Sequence, residues 1–135
     1  MENIVLELTG VKHIEPLHYA YIAGYVDGEG CVTIGSNKCT VVCVITNTYP
    51  YTLNEIKSMF GGRTKLCKRT KIKWRNTYRF SIYGKDACAM LVKLIPFLKE
   101  KQPQAKLAIE FYNSTDRKKK DRLIKQIKQL KHINH

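Results

Sequence analysis

A chain of 135 residues with 44% hydrophobic side chains is long enough for one domain with a proper core and too short for two comfortable ones. Lys and Arg number 24 against 11 Asp and Glu, a net charge of +13, so the surrounding field draws polyanions, and nucleic acid leads the partner classes. No stretch approaches the roughly 18 apolar residues of a membrane span, the start MENIVLELTG lacks a basic leader before an apolar run, and the five cysteines contain no CxxC pair; the expectation is a soluble intracellular protein, not secreted, with reduced thiols in core or strand positions and no zinc framework.

Residues 1 to 14 carry only a weak signal for a short strand or helical turn. Residues 16 to 26 read as helix, because Pro16 suits a first turn and Leu17, Tyr21, Tyr25 with Ala20, Gly24 recur at four-residue spacing. Gly30 reads as the stop. Alternation follows in CVTIGSNKCTVVCVITNT, predicting strands at about 31 to 36 and 39 to 47 that turn at Ser36-Asn37. Tyr49-Pro50 breaks the run, and TLNEIKSMF reads as a second helix with Thr52 as N-cap and Glu55 completing a capping box. Gly61-Gly62 ends it.

A second alternating pair, RTKLCKR at 63 to 69 and YRFSIY at 78 to 83, is joined by the basic loop TKIKWRNT. Ala87, Met90, Leu91, Leu94 and Ile95 keep a helical stripe between Lys85 and about Lys99, and a further helix follows Pro103 through Leu107, Ile109 and Phe111. From Asp116 the chain is a basic amphipathic helix with Leu123, Ile124, Ile127 and Leu130 on one side. Two helix-hairpin units predict an α+β architecture, a four-stranded antiparallel sheet with helices on one face. One domain spans 1 to 135, with its core at about 17 to 114 and the basic helix at 115 to 135.

Residues 63 to 79 hold eight basic side chains and no acid. Strand parity sends Leu66, Tyr78, Phe80 and Ile82 to the core and Arg63, Lys65, Cys67, Arg69, Arg79 and Ser81 to the opposite face, with Lys71, Lys73 and Arg75 in the loop. In the first hairpin the same parity puts Thr33, Gly35, Asn37, Lys38 and Thr40 on that open face, beside Val42 and Val44. Such a surface mixes groups that hold phosphates with groups that read base edges. An antiparallel sheet can also simply solvate one face and use cations to protect its edges; the single sign of the charge favours nucleic acid.

The segment YIAGYVDGEG at 21 to 30 poses a conflict. Asp27 and Glu29 stand at the carboxyl end of a helix, where the macrodipole disfavours anions by about 0.3 to 1 kcal/mol each. Gly24 and Gly28 sit inside that helix at about 1 kcal/mol apiece relative to Ala. Small residues four apart, with Ala23 beside them, admit a close helix neighbour, either another helix of this chain or the same helix of a second copy across a two-fold axis. In the second case two copies of Glu29 meet with backbone carbonyls nearby. A hard divalent cation such as Mg²⁺ relieves that repulsion, and on DNA it can activate water and stabilise a departing oxygen.

The stretch IAGYVDGEG at 22 to 30 resembles the signature of the LAGLIDADG homing endonucleases, with Gly28 in place of alanine and Glu29 in place of the final aspartate. PFLKEKQPQAKLA at 96 to 108 is similar to the lysine-bearing stretch of the same family, and the similarity covers about residues 17 to 114. The resemblance implies an αββαββα fold with the motif helices at a homodimer interface (Ala23, Gly24, Asp27, Gly28) and the sheets forming a saddle over double-stranded DNA. It implies site-specific cleavage of both strands of a long near-palindromic target, with divalent metal and short 3′ extensions. Mg²⁺ or Mn²⁺ would support cleavage, and Ca²⁺ would be a non-cleaving substitute. On the same grounds Glu29 binds metal with the Gly28 carbonyl, Lys101 is the active-site lysine, Asn47 positions water, and Asp27 caps the partner motif helix. A non-catalytic DNA-binding regulator, or a maturase acting on intron RNA, is the alternative on this fold. The implied location is the compartment that holds the target DNA.

Overall fold

A computed structural model of the chain describes residues 15–68 and 76–133. Residues 1 to 14 and the loop cations Arg69, Lys71, Lys73 and Arg75 lie outside the described residues. The elements in order are α1 (Glu15–Glu29), β1 (Gly30–Ile34), β2 (Val41–Asn47), α2 (Pro50–Phe60), β3 (Arg63–Cys67) and β4 (Thr77–Tyr83). They are followed by α3 (Gly84–Leu94), a 3₁₀ turn (Ile95–Phe97), α4 (Gln102–Asn113) and α5 (Arg117–Ile133). The predicted order of helices and hairpins is therefore present.

The four strands form one antiparallel sheet in the order β1-β2-β4-β3. Val32, Ile34, Val41, Cys43, Ile45, Phe80 and Ile82 are buried on one face, against α1, α2, α3 and α4. Leu53 and Ile56 of α2, Met90, Leu91 and Leu94 of α3, and Ala105, Ala108 and Phe111 of α4 complete that core. Burying apolar side chains on one face only is what alternation at period two dictates. Leu66 has the core parity but stays 40% exposed, on β3 at the edge of the sheet.

The boundaries differ from the periodicity in instructive places. α1 runs three residues past Val26, to Glu29, and passes into β1 with no loop. A Cβ on Gly30 would lie 2.7 Å from the Val26 carbonyl oxygen, so only glycine allows so tight a corner. The capping box at Thr52 does not form: α2 starts at Pro50, its N-cap is Tyr49, and no side chain caps it. Proline at the first helical position fixes φ and removes one unpaired donor, which moves the N-cap three residues upstream, from Thr52 to Tyr49. α2 ends at Gly61 and Gly62, both at φ +91°. At Gly62 a Cβ would stand 2.7 Å from the Ser81 carbonyl oxygen and 2.8 Å from the Phe80 ring.

α5 buries Leu123, Ile124 and Ile127 against α4 and β1. Its first residue, Arg117, donates through Nη1 to the Lys38 carbonyl oxygen at 3.1 Å and pairs with Asp121 at 2.7 Å. The basic helix is thus tied to the tip of the first hairpin. All five cysteines are free, and Cys39 is exposed in that tip rather than in a strand or the core. No helix of the described residues is long and apolar enough to cross a membrane.

Candidate active site and nucleic-acid interface

The end of α1 gathers the acids, and the chain's own backbone answers one of them. Asp27 accepts from the Lys99 amide through Oδ2 and from the Lys101 amide through Oδ1, both at 2.8 Å. Both bonds are made within its own chain, to the turn that leads into α4. A carboxylate bridging two N–H groups is a strong, charge-assisted tie. Its effect is to hold Lys101 against α1, where Nζ lies 3.4 Å from the Asp27 carbonyl oxygen. The ammonium therefore offsets the unpaired carbonyls at the helix end.

Glu29 and Gly28 are exposed beside this tie. Among the described residues no group of three or more His, Cys, Asp or Glu could hold a metal ion. The Glu29 carboxylate and the terminal carbonyls of α1 are hard oxygen donors, the class that suits Mg²⁺ or Mn²⁺. One chain supplies only part of such a shell.

Asn47 closes β2 at the same end of the sheet but carries the parity of the helix-packed face, since it pairs with Tyr78. Its Nδ2 donates to the Tyr25 hydroxyl at 2.6 Å, and its Oδ1 accepts from the Tyr49 amide at 3.1 Å. The amide predicted to position water is thus held by protein on both sides. Tyr25 is the residue that sequence reading missed. Burial pushes its hydroxyl's pKa up, and the Glu29 charge one helical turn away pushes in the same direction. The four-residue interval from Tyr25 to Glu29 was the available signal.

Strand register sets rows across the open face of the sheet: a short one, Cys67 beside Thr77, spans only β3 and β4, and three others continue onto β2. Of those three, nearest the α1 end are Thr46, Arg79 and Lys65; next come Cys31, Val44, Ser81 and Arg63; farthest out are Thr33, Val42 and Tyr83. Arg63, Lys65 and Arg79 are exposed, as parity required, whereas Ser81 is only 9% exposed between its neighbours. The predicted face residues Gly35, Asn37, Lys38 and Thr40 belong to the hairpin turn, because β1 stops at Ile34 and β2 begins at Val41. There Asn37 accepts from the Cys39 amide and donates to Thr40 Oγ1, and Lys38 takes φ 60°. These side chains build the turn.

Among the described residues nothing covers one face of α1. Leu17 and Tyr21 are 63% and 59% exposed, Ala20, Gly24 and Gly28 lie on the same stripe, and a Cβ on Gly24 or Gly28 would meet nothing within 4 Å. Ala23, by contrast, is fully buried in the chain's own core, because at 100° per residue it falls on the side of Val26. The expected interface residues therefore divide: Gly24 and Gly28 face outward, while Ala23 and the Asp27 carboxylate are used internally.

This chain thus joins a four-stranded antiparallel sheet, with cations on its open face, without a loop to a glycine-bearing helix that ends in acids. The model of the LAGLIDADG-like domain matches residues 17–96, and the chain belongs to this family. Among solved structures it is similar to the homing endonuclease I-CvuI in complex with its target in the presence of Ca, at 24% identity and a TM-score of 0.69, over 86% of this chain and 83% of that one. The archaeal intron-encoded homing endonuclease I-Vdi141I complexed with DNA gives 23% identity and a TM-score of 0.60, over 87% and 84%. At these identities the likeness is one of fold. No curated protein sequence matches the chain.

Proposed function

We propose that the chain is a site-specific, divalent-metal-dependent DNA endonuclease that works as a homodimer on a long, near-palindromic duplex and leaves short 3′ extensions. The observation that carries this reading is the tie from Asp27 to the Lys99 and Lys101 amides. It brings a cation and the exposed Glu29 to one helix end, at the margin of an open face bearing Arg63, Lys65 and Arg79. The uncovered stripe of Leu17, Tyr21, Gly24 and Gly28 supports self-association through α1, which sets two such helix ends side by side.

In this reading Glu29 and the Gly28 carbonyl would hold the ion, which would supply Lewis-acid chemistry for activating water and balancing charge on the phosphate. Lys101 Nζ binds the non-bridging phosphate oxygens and stabilises the charge that grows there. Asn47 and Tyr25 form a fixed polar pair behind Glu29 that limits where its carboxylate can swing. Arg63, Lys65 and Arg79, with the loop cations, fix the duplex on the sheet.

The test is incubation with the duplex formed by joining the sequences that flank the element encoding the chain, in Mg²⁺, Mn²⁺ or Ca²⁺. Cleavage in Mg²⁺ or Mn²⁺, binding alone in Ca²⁺, and loss of cleavage with retained binding in Glu29→Gln are the expected results. Duplex binding without nicking in either cleaving ion points instead to a regulator. Preference for intron RNA over duplex points to a maturase.

A further inference from the structure

Phosphate attraction leaves one property of the open face unexplained. Its β3–β4 half carries Arg63, Lys65 and Arg79, whereas its β1–β2 half carries Cys31, Thr33, Val42, Val44 and Thr46 with no charge at all. Val42 and Val44 are only half covered, and they lie on the face opposite the buried residues of their strands, so the core does not require them. Threonine satisfies strand propensity as well as valine does and keeps a solvated face polar. A chain with 24 cations leaves these five positions uncharged, and the patch is continuous with the cationic rows and with the Glu29–Lys101 end.

Resting on the reading of this sheet as a DNA surface, we infer that the β1–β2 half recognises thymine methyl groups in the major groove, so that the outer part of each half-site is A·T-rich. Thymine alone among the bases presents a methyl group there, and apolar side chains are its complement. Residues two apart on one strand face stand about 6.8 Å from each other, which is about two base-pair steps of about 3.4 Å. Val44 lies in the row nearer the α1 end and Val42 in the row beyond it. The two valines therefore specify two thymines about two base pairs apart, both outward of the bases met by Arg79 and Lys65. Thr33 and Cys31, each beside one valine in register, add a methyl group and a thiol to the same contacts.

The experiment selects duplexes bound by the wild-type protein from a randomised library in Ca²⁺, then replaces each thymine of the selected site in turn by deoxyuridine, which removes only the methyl group. Two positions per half-site, about two base pairs apart, should each lose about fourfold in affinity, the scale of burying one methyl-sized group. Val42→Ala should erase the penalty at the outer position and Val44→Ala at the inner one. A selected site indifferent to deoxyuridine, or penalties that persist in both variants, would overturn the inference while leaving duplex binding intact. A sheet-to-sheet association seen by sedimentation, broken by Val42→Lys and unaffected by duplex, would overturn it in favour of a second copy on this patch. If no duplex is enriched, the DNA reading fails and the inference falls with it.

Discussion

Replacing Asp27 by asparagine tests how the helix end is built. The carboxylate now accepts two backbone N–H groups at 2.8 Å each, and hydrogen bonds to a charged acceptor contribute about 1.5 to 3 kcal/mol apiece. Asparagine keeps one acceptor oxygen, uncharged, and turns an NH₂ toward the other amide. The net loss is about 2 to 4 kcal/mol at this half-buried position, or about 10 °C in melting temperature for a chain of this size. Hydrogen exchange read by mass spectrometry or NMR should show the Lys99 and Lys101 amides losing protection. Nicking should fall with them, since Lys101 loses its mooring. Lys101→Ala provides the contrast, with a melting temperature near wild type and nicking abolished. A melting point within about 2 °C of wild type, with both amides still protected in Asp27→Asn, would refute this account of the helix end.

Three further outcomes follow from particular contacts. Gly62→Ala forces a Cβ to 2.7 Å from the Ser81 carbonyl oxygen at φ +91° and should cost more than about 2 kcal/mol by thermal or urea unfolding. A Cβ on Gly24 meets nothing within 4 Å among the described residues and the position is exposed, so the circular dichroism and folding of Gly24→Leu should match wild type, while sedimentation velocity should show loss of self-association if α1 meets its own copy. The Cys43 thiol is pushed up to about 12 by burial, with the nearby Cys31 thiolate adding to the shift, against an ordinary 9.0. Above pH 9 the unfolded chain therefore releases a proton that the folded chain keeps, so stability is full below that pH and declines as pH climbs toward 12. Cys43→Ala should flatten that alkaline limb in urea titrations at pH 8 to 11.

The sheet and its faces were legible because period-two alternation is a local signal, and Val32, Ile34, Phe80 and Ile82 obey it. What failed was what depends on neighbours distant in sequence or on a rival local rule. Thr52 and Glu55 form a plausible capping box until Pro50 begins the helix earlier. Ala23 reads as one of a set of small residues, but a helix wheel alone does not say which side the chain's own core occupies. The two backbone amides that donate to Asp27 lie more than seventy residues away in sequence, at a separation no motif spacing encodes. Glu29, Gly28 and Lys101 come together at one helix end, whereas Asn47 stands behind them, engaged by Tyr25 and Tyr49.

The missing loop between α1 and β1 has a bearing on how such a protein can change its target. Because Glu29 is the last residue of the helix and Gly30 the first of the strand, with no room for a side chain at the corner, the backbone works as a ruler of fixed length. Under the proposed function, the interval between the phosphate that is cut and each base that is read is a constant of the fold. Substitutions on the open face can then retune the recognised sequence one row at a time while the cut stays in place, a separation that lets specificity drift without loss of chemistry.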